Sequence, residues 1–245
     1  MGCFGILVAG DLSDNPDQLV QKKGKFQDMF LRLLRDEGEE WKLFFVYDGD
    51  FPTEEELQTF DGFVITGSVG DAFGQEDWLV KLRGLVRRVA DSQTRLLGVC
   101  FGHQVVGTAY DAKVGRAGFF ECGAREVTVH PAARASVGAS WAELLPDRLV
   151  INEVHQDQVL EVPKGATILA SSERCPIEAF CIGSNVLCLQ GHPEFDEEVV
   201  VMLTERHRED IAVEDLELRD ASFKQLRPAE YSAQLQQLCK TFLKG

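Results

Sequence analysis

The nine residues Leu96-Leu97-Gly98-Val99-Cys100-Phe101-Gly102-His103-Gln104 constrain this chain more than any other stretch. Arg95-Leu96-Leu97-Gly98-Val99 predicts a short buried strand, and Gln104-Val105-Val106-Gly107-Thr108-Ala109-Tyr110 has the apolar spacing of a helix. Between them, Gly98 and Gly102 bracket Cys100 in a sharp turn. A cysteine there sits at a helix N-terminus, where unpaired backbone N–H groups favour a thiolate and can hold a developing oxyanion. The chain must therefore place strand, cysteine and helix in that order.

A nucleophilic thiol needs a base, and Leu187-Cys188-Leu189-Gln190-Gly191-His192-Pro193-Glu194-Phe195 offers one. Again an apolar strand runs into a turn. Pro193 keeps the backbone extended, so His192 and Glu194 can leave the same side of the chain, and Glu194 can fix the imidazole tautomer. Acyl transfer asks for that set: a thiol to attack, an imidazole to move the proton, a carboxylate to orient the imidazole. Free cysteine is ordinarily a buried core residue, which is how Cys181, Cys188 and Cys239 read.

The rest of the chain alternates. Phe4 to Gly10 predicts an opening buried strand, Asp11 to Lys25 a polar loop, Phe26 to Asp36 an amphipathic helix and Trp41 to Tyr47 a second strand. Thr53 and Glu56 form a capping-box pattern, Gly62 to Thr66 predicts a third strand, and Asp77 to Ala90 a helix leading to the strand before Cys100. That βαβ rhythm implies an α/β fold with a mostly parallel central sheet flanked by helices. From Arg125 to Val129, Leu149 to Glu153, Thr167 to Ser171, Glu178 to Ile182 and Val186 to Gln190 the pattern changes to short strands, a smaller mixed or antiparallel sheet. Glu197 to Glu209 and Ala229 to Phe242 predict closing helices, with a charged, poorly defined segment between. Cys100, Gly67 and His192 each follow a strand, and in open α/β sheets the ligand crevice lies beyond the strands' carboxyl ends.

At 245 residues and 44% hydrophobic content, one domain spanning 1–245 is the expected count. A formal charge of −15 argues against nucleic acid or an anionic membrane surface as partner. No run of about 18 apolar residues occurs, so no membrane span is expected. Seven cysteines without CxxC spacing, and no cationic-then-apolar leader, suggest neither a disulfide framework nor a zinc ribbon, and point to a reducing cytoplasm. Met1-Gly2-Cys3 has Ile6 where a myristoylation site needs Ser or Thr. No metal or other cofactor is expected; His155 has no partner at ligand spacing. His130 and His207 read as surface residues, His103 as structural.

Gly98-Val99-Cys100-Phe101-Gly102-His103-Gln104 and Gly191-His192-Pro193-Glu194 resemble the signatures of class I glutamine amidotransferase domains. Phe63-Val64-Ile65-Thr66-Gly67-Ser68 is similar to that family's oxyanion-loop strand, and His155-Gln156-Asp157-Gln158-Val159 to its substrate-side His-x-Asp segment. The resemblance implies a flavodoxin-like sheet and a triad of Cys100, His192 and Glu194. Phe60-Asp61-Gly62-Phe63, Asp71-Ala72-Phe73-Gly74 with Asp77-Trp78, and Val159-Leu160-Glu161-Val162-Pro163 further resemble the plant γ-glutamyl peptidases, as does the terminal Leu238 to Gly245. That group has Pro after the Gly-Ser of the oxyanion loop, where Val69-Gly70 stands here.

On this reading Cys100 attacks a γ-glutamyl carbonyl to give a thioester, with the backbone N–H groups of Gly67 and Phe101 as oxyanion donors. The resemblance places Gln104 near the glutamyl group, although a helix-packing amide is an equal reading, and makes His155 and Gln156 candidates to line the glutamyl pocket. Three functions follow. A γ-glutamyl peptidase would cleave glutathione, its conjugates or other γ-glutamyl peptides unaided. A glutaminase subunit would supply ammonia to a separate, GMP-synthetase-like partner. A non-enzymatic regulator is disfavoured by the presence of all three triad residues. The loop Val69 to Trp78 is expected to shape the leaving-group opening.

Overall fold

A computed structural model describes residues 2–10, 18–137 and 140–245. Its strands are β1 (Cys3–Val8), β2 (Glu40–Phe45), β3 (Gly62–Ile65), β4 (Arg95–Val99), β5 (Val114–Val129), β6 (Arg148–Val159), β7 (Ala166–Ser171), β8 (Ala179–Ile182) and β9 (Val186–Leu189). The helices are α1 (Gln18–Lys23), α2 (Phe26–Leu34), α3 (Glu54–Thr59), α4 (Asp77–Asp91), α5 (Phe101–Ala109), α6 (Pro131–Val137), α7 (Glu197–Arg206), α8 (Val213–Leu226) and α9 (Ser232–Lys244). No helix among the described residues is long and apolar enough to cross a membrane.

The strands hydrogen-bond into one sheet in the order β2-β1-β3-β4-β9-β8-β7-β5-β6. From β2 to β9 every pairing is parallel, and from β9 onward every pairing is antiparallel. The first five strands thus follow the flavodoxin-like order, and the antiparallel portion continues from their far edge. β5 touches β7 through only Thr128 and Val129, whereas it pairs along most of its length with β6. The β5–β6 ribbon therefore reaches beyond the sheet and over the strands' ends.

Continuous apolar runs make the parallel strands. Side chains alternate across the pleat, so each strand feeds two cores. Phe4, Ile6 and Val8 of β1 join Val64, Leu97, Leu187, Phe30 and Phe242 on one face, beneath α2 and α9. Leu7 of β1 joins Phe63, Ile65, Leu96, Leu82 and Val105 on the other, beneath α4 and α5. The capping box forms as the sequence predicts: Thr53 Oγ1 accepts from the Glu56 amide, and the Glu56 carboxylate accepts from the Thr53 amide.

Several elements exceed the sequence reading. The polar loop contains α1, with 11–17 outside the described residues. β5 runs eleven residues further back than Arg125, through Gly118 and Gly123, both at positive φ. The charged segment after α7 contains α8, which buries Leu216 and Phe223 and is tied down by Arg219 donating to Thr204 Oγ1 and Glu205.

Candidate active site

Cys100 caps the N-terminus of α5 with φ 53° and ψ −103°, a conformation side-chain-bearing residues rarely adopt. Packing enforces this elbow. A Cβ on Gly102 would lie 2.6 Å from the carbonyl oxygen of Ile65, and one on Gly98 would lie 2.9 Å from the Gly102 carbonyl. Only two glycines let α5 start so close to β3 and β4. The Cys100 amide donates to Leu189 O at 2.9 Å, which fixes the nucleophile against the end of β9.

Two residues beyond Leu189 the chain turns at Gly191, and His192 enters the site. Its amide donates to Asn152 O at 2.7 Å, and Asn152 Nδ2 donates to Phe195 O at 2.8 Å. One strand residue from β6 thus clasps both ends of the His192–Phe195 turn. His192 Nδ1 pairs with Glu194 Oε1 at 2.8 Å, while Nε2 has no hydrogen-bond partner among the described residues. The imidazole lies on the Phe195 ring, centroids 4.0 Å apart and planes 4° apart. Burial opposes charge on His192, but Glu194 and then Cys100 outweigh it and hold the imidazole well above its ordinary pKa. The other buried thiols look inert: burial pushes Cys122 and Cys181 up to about 11 and Cys239 up to about 12.

Gly67 follows β3 and closes the third side. A Cβ there would lie 3.1 Å from His192 Cε1 and 3.9 Å from Cys100 Cβ, so this backbone approaches both groups. Thr66 pins the turn, its hydroxyl donating to Gly67 O and accepting from the Ala9 amide. The Gly67 and Phe101 amides have no backbone acceptor among the described residues, so no described main-chain group takes up either donor.

These groups border a cavity of about 200 Å³ lined by Gly67, Ser68, Cys100, Gln104, His155, Gln156 and His192 on its polar side. Phe26, Phe120, Val154, Asp157, Phe195, Leu203 and His207 form the remainder, with Val69 and Gly70 at the loop. Gln104 Nε2 donates to Asp157 O at 2.9 Å and Gln190 Oε1 at 3.3 Å, so its amide packs α5 against β6 and β9 even as it borders the cavity. His103 is fully buried against Gln190 and Phe180, and burial lowers it to about 3.

Some expectations shift. His155 has acidic neighbours, Glu153 two residues before it on β6 at 3.3 Å and Glu121 at 3.8 Å, the latter delivered by strand pairing that linear spacing conceals. No metal-holding group of His, Cys, Asp and Glu occurs among the described residues. His207 is exposed as expected, but on the cavity wall, and His130 is half-buried, its Nε2 3.1 Å from Ser171 Oγ. Only the start of the loop Val69 to Trp78 borders the opening. Asp71 instead pairs with Arg116, which also pairs with Asp157, and Trp78 stacks on Phe101. The sequence reading missed Asn152, Phe195, Phe26, Phe120 and Leu203; only Phe195, beside Glu194, carried a positional hint.

The class-I glutamine amidotransferase family model matches residues 21–200. The chain belongs to that family. Among curated class-I relatives, γ-glutamyl peptidase 3 of Arabidopsis thaliana is 39% identical over 91% of this chain and 90% of its own length. γ-Glutamyl peptidase 5 of the same plant is 38% identical over 96% and 94%. A glutamine amidotransferase from Thermotoga maritima superposes with a TM-score of 0.74 at 17% identity, covering all of both chains. The protein is a class-I amidotransferase-type hydrolase, an α/β enzyme of this family.

Proposed function

We propose that the enzyme hydrolyses the γ-glutamyl amide bond of glutathione, its conjugates or other γ-glutamyl peptides through a thioester on Cys100. The observation that carries this reading is that Cys100, the Gly67 backbone and a His192 held at Nδ1 by Glu194 border one cavity. The Cys100 sulfur attacks the γ-carbonyl carbon, the carbonyl oxygen takes up the electron pair, and the Gly67 and Phe101 amides receive it. His192 takes the Cys100 thiol proton on Nε2 as the sulfur attacks and passes it to the leaving amine as the C–N bond breaks. It then takes a proton from water, which attacks the thioester and releases glutamate, while Glu194 holds the ring. Gln104, His155 and Gln156 border the glutamyl end.

A leaving group larger than ammonia needs room, and the wall of Phe26, Phe120 and Leu203 gives the cavity an apolar side that a glutaminase would not need. The names of the plant relatives support the same reading. On this account the substrate is a small molecule, the whole chain acts as one domain without metal, cofactor, nucleic acid, membrane or synthetase partner, and the seven free thiols suit the cytoplasm.

The test is glutamate release by the purified protein from glutathione, a glutathione S-conjugate and glutamine, with Cys100→Ala as blank. Release from the γ-glutamyl peptides, lost in the variant, is the expected result. Activity on glutamine alone, or only after a synthetase is added, would assign a glutaminase subunit instead.

A further inference from the structure

Behind the His155 wall of the cavity lies a knot of acids that no step above uses. Glu121 of β5, Glu153 of β6 and Glu178, one residue before β8, are at most 3% exposed, and His155 is 5% exposed. Arg125 is already engaged: its Nε donates to Glu121 Oε1 at 2.8 Å and its Nη1 to Ala124 O at 2.9 Å. Both carboxyl oxygens of Glu153, both of Glu178 and both ring nitrogens of His155 lack a well-formed hydrogen bond among the described residues, although Glu178 lies beside Glu153, Ser172 beside Glu178 and the Asp157 backbone beside His155.

As carboxylates these groups could only accept, and three buried negative charges would face one guanidinium. Each buried polar atom left without a partner costs about 1–3 kcal/mol. Protons on Glu153 and Glu178 remove both difficulties, because each acid then gains a donor. An acceptor within reach of Glu153 is His155 Nε2, 3.3 Å from Glu153 Oε2.

We infer that Glu153 and Glu178 form an un-ionised acid pair at neutral pH, and that the Glu153 hydroxyl donates to His155 Nε2, so that the ring proton of His155 resides on Nδ1. Glu153 is then a positioning residue for the cavity wall. It also supports the catalytic turn, since a Cβ on Gly191 would lie 2.3 Å from Glu153 Oε1, and Glu178 O accepts the Gln190 amide at 2.8 Å.

The surroundings favour this state. Glu121 and Arg125 face the pair from β5, His155 from β6, Cys175 from the turn before Glu178, and His192 from the turn after β9. Burial and then Glu121 push Glu153 well above the carboxylate range, burial and then Glu153 do the same to Glu178, and burial lowers His155.

The inference deepens the proposed active site, but its first test needs no turnover. A long-range 1H–15N spectrum of the full-length protein labelled with 15N-histidine, assigned with His155→Gln, reads the ring directly at pH 7. One bare Nε2 and a protonated Nδ1 are expected. Two protonated nitrogens, or a proton on Nε2, would overturn the inference whatever the enzyme hydrolyses. The second test is rescue. Glu153→Gln keeps a donor in the same shape and should hold kcat/KM on a γ-glutamyl dipeptide within about threefold, whereas Glu153→Met should lower it about tenfold, the worth of one lost hydrogen bond. Equal loss in both variants would overturn the donor role.

Discussion

The imidazole of His192 rests flat on the ring of Phe195, their planes 4° apart and their centroids 4.0 Å apart. Phe195 in turn packs on Phe26 of α2. A histidine that must gain and lose a proton is thus held by stacking on one side and by Glu194 at Nδ1. Phe195→Leu keeps apolar bulk and removes the stack, worth about 0.5–1.5 kcal/mol. kcat should fall roughly two- to tenfold with the fold intact by circular dichroism; an unchanged kcat would count against the stack as a constraint on the base.

Cys100 carries backbone strain because its φ is 53°. Cys100→Gly and Cys100→Ala both remove the thiol, so both should be inactive, but only glycine relaxes the elbow. The glycine variant should be more stable than the alanine variant by about 1–2 kcal/mol in urea unfolding. Equal midpoints would mean the elbow is not strained in solution.

Asn152 holds the His192–Phe195 turn from a neighbouring strand. Asn152→Ala leaves the backbone bond to His192 but removes the donor to Phe195 O. Stability should drop by about 1 kcal/mol, and kcat should drop more than KM changes, because the loss concerns the base rather than the cavity. A change confined to KM would argue that Asn152 acts on substrate instead.

His103 makes stability pH-dependent. Its pKa is lowered from 6.5 to about 3 by burial, so the native state favours the neutral ring. The contribution is present above pH 6.5 and is lost as pH falls toward 3, since the unfolded chain binds the proton first. The unfolding free energy from urea titrations should decline by several kcal/mol across that window, and His103→Gln should flatten the decline. A variant as acid-sensitive as the parent would assign the effect to other groups.

How much of this was legible follows from how local each signal is. The elbow at Cys100, the His192–Glu194 pair and the parallel strands rest on neighbours in sequence: paired glycines, a proline between two functional residues, unbroken apolar runs. The first half of β5 was hidden because Gly115, Gly118 and Gly123 interrupt a strand pattern that pairing with β6 restores. α8 was hidden because its charged face dominates and its anchor is Arg219 reaching α7. Asn152, Phe26 and Leu203 could not be found at all, for their place at the cavity comes from contacts between elements far apart in the chain. Glu121 beside His155 is the same case: an adjacent strand brought together what spacing along the sequence kept apart.

The clasp of Asn152 on the catalytic turn also has a temporal meaning. Once the parallel strands and α5 have formed, β9 brings His192 near Cys100, but the turn that aims the imidazole stays unclasped until β6 of the β5–β6 ribbon docks. The site joins β3, β4, β6 and β9, strands far apart in the chain, and pairings of such separation are slow to form. Turnover is accordingly a clock for the end of folding: in a refolding experiment, helical signal should return before activity does. A chain with its parallel half in place, β9 included, would carry His192 on an unclasped turn, its activity weak until the whole molecule closes around it.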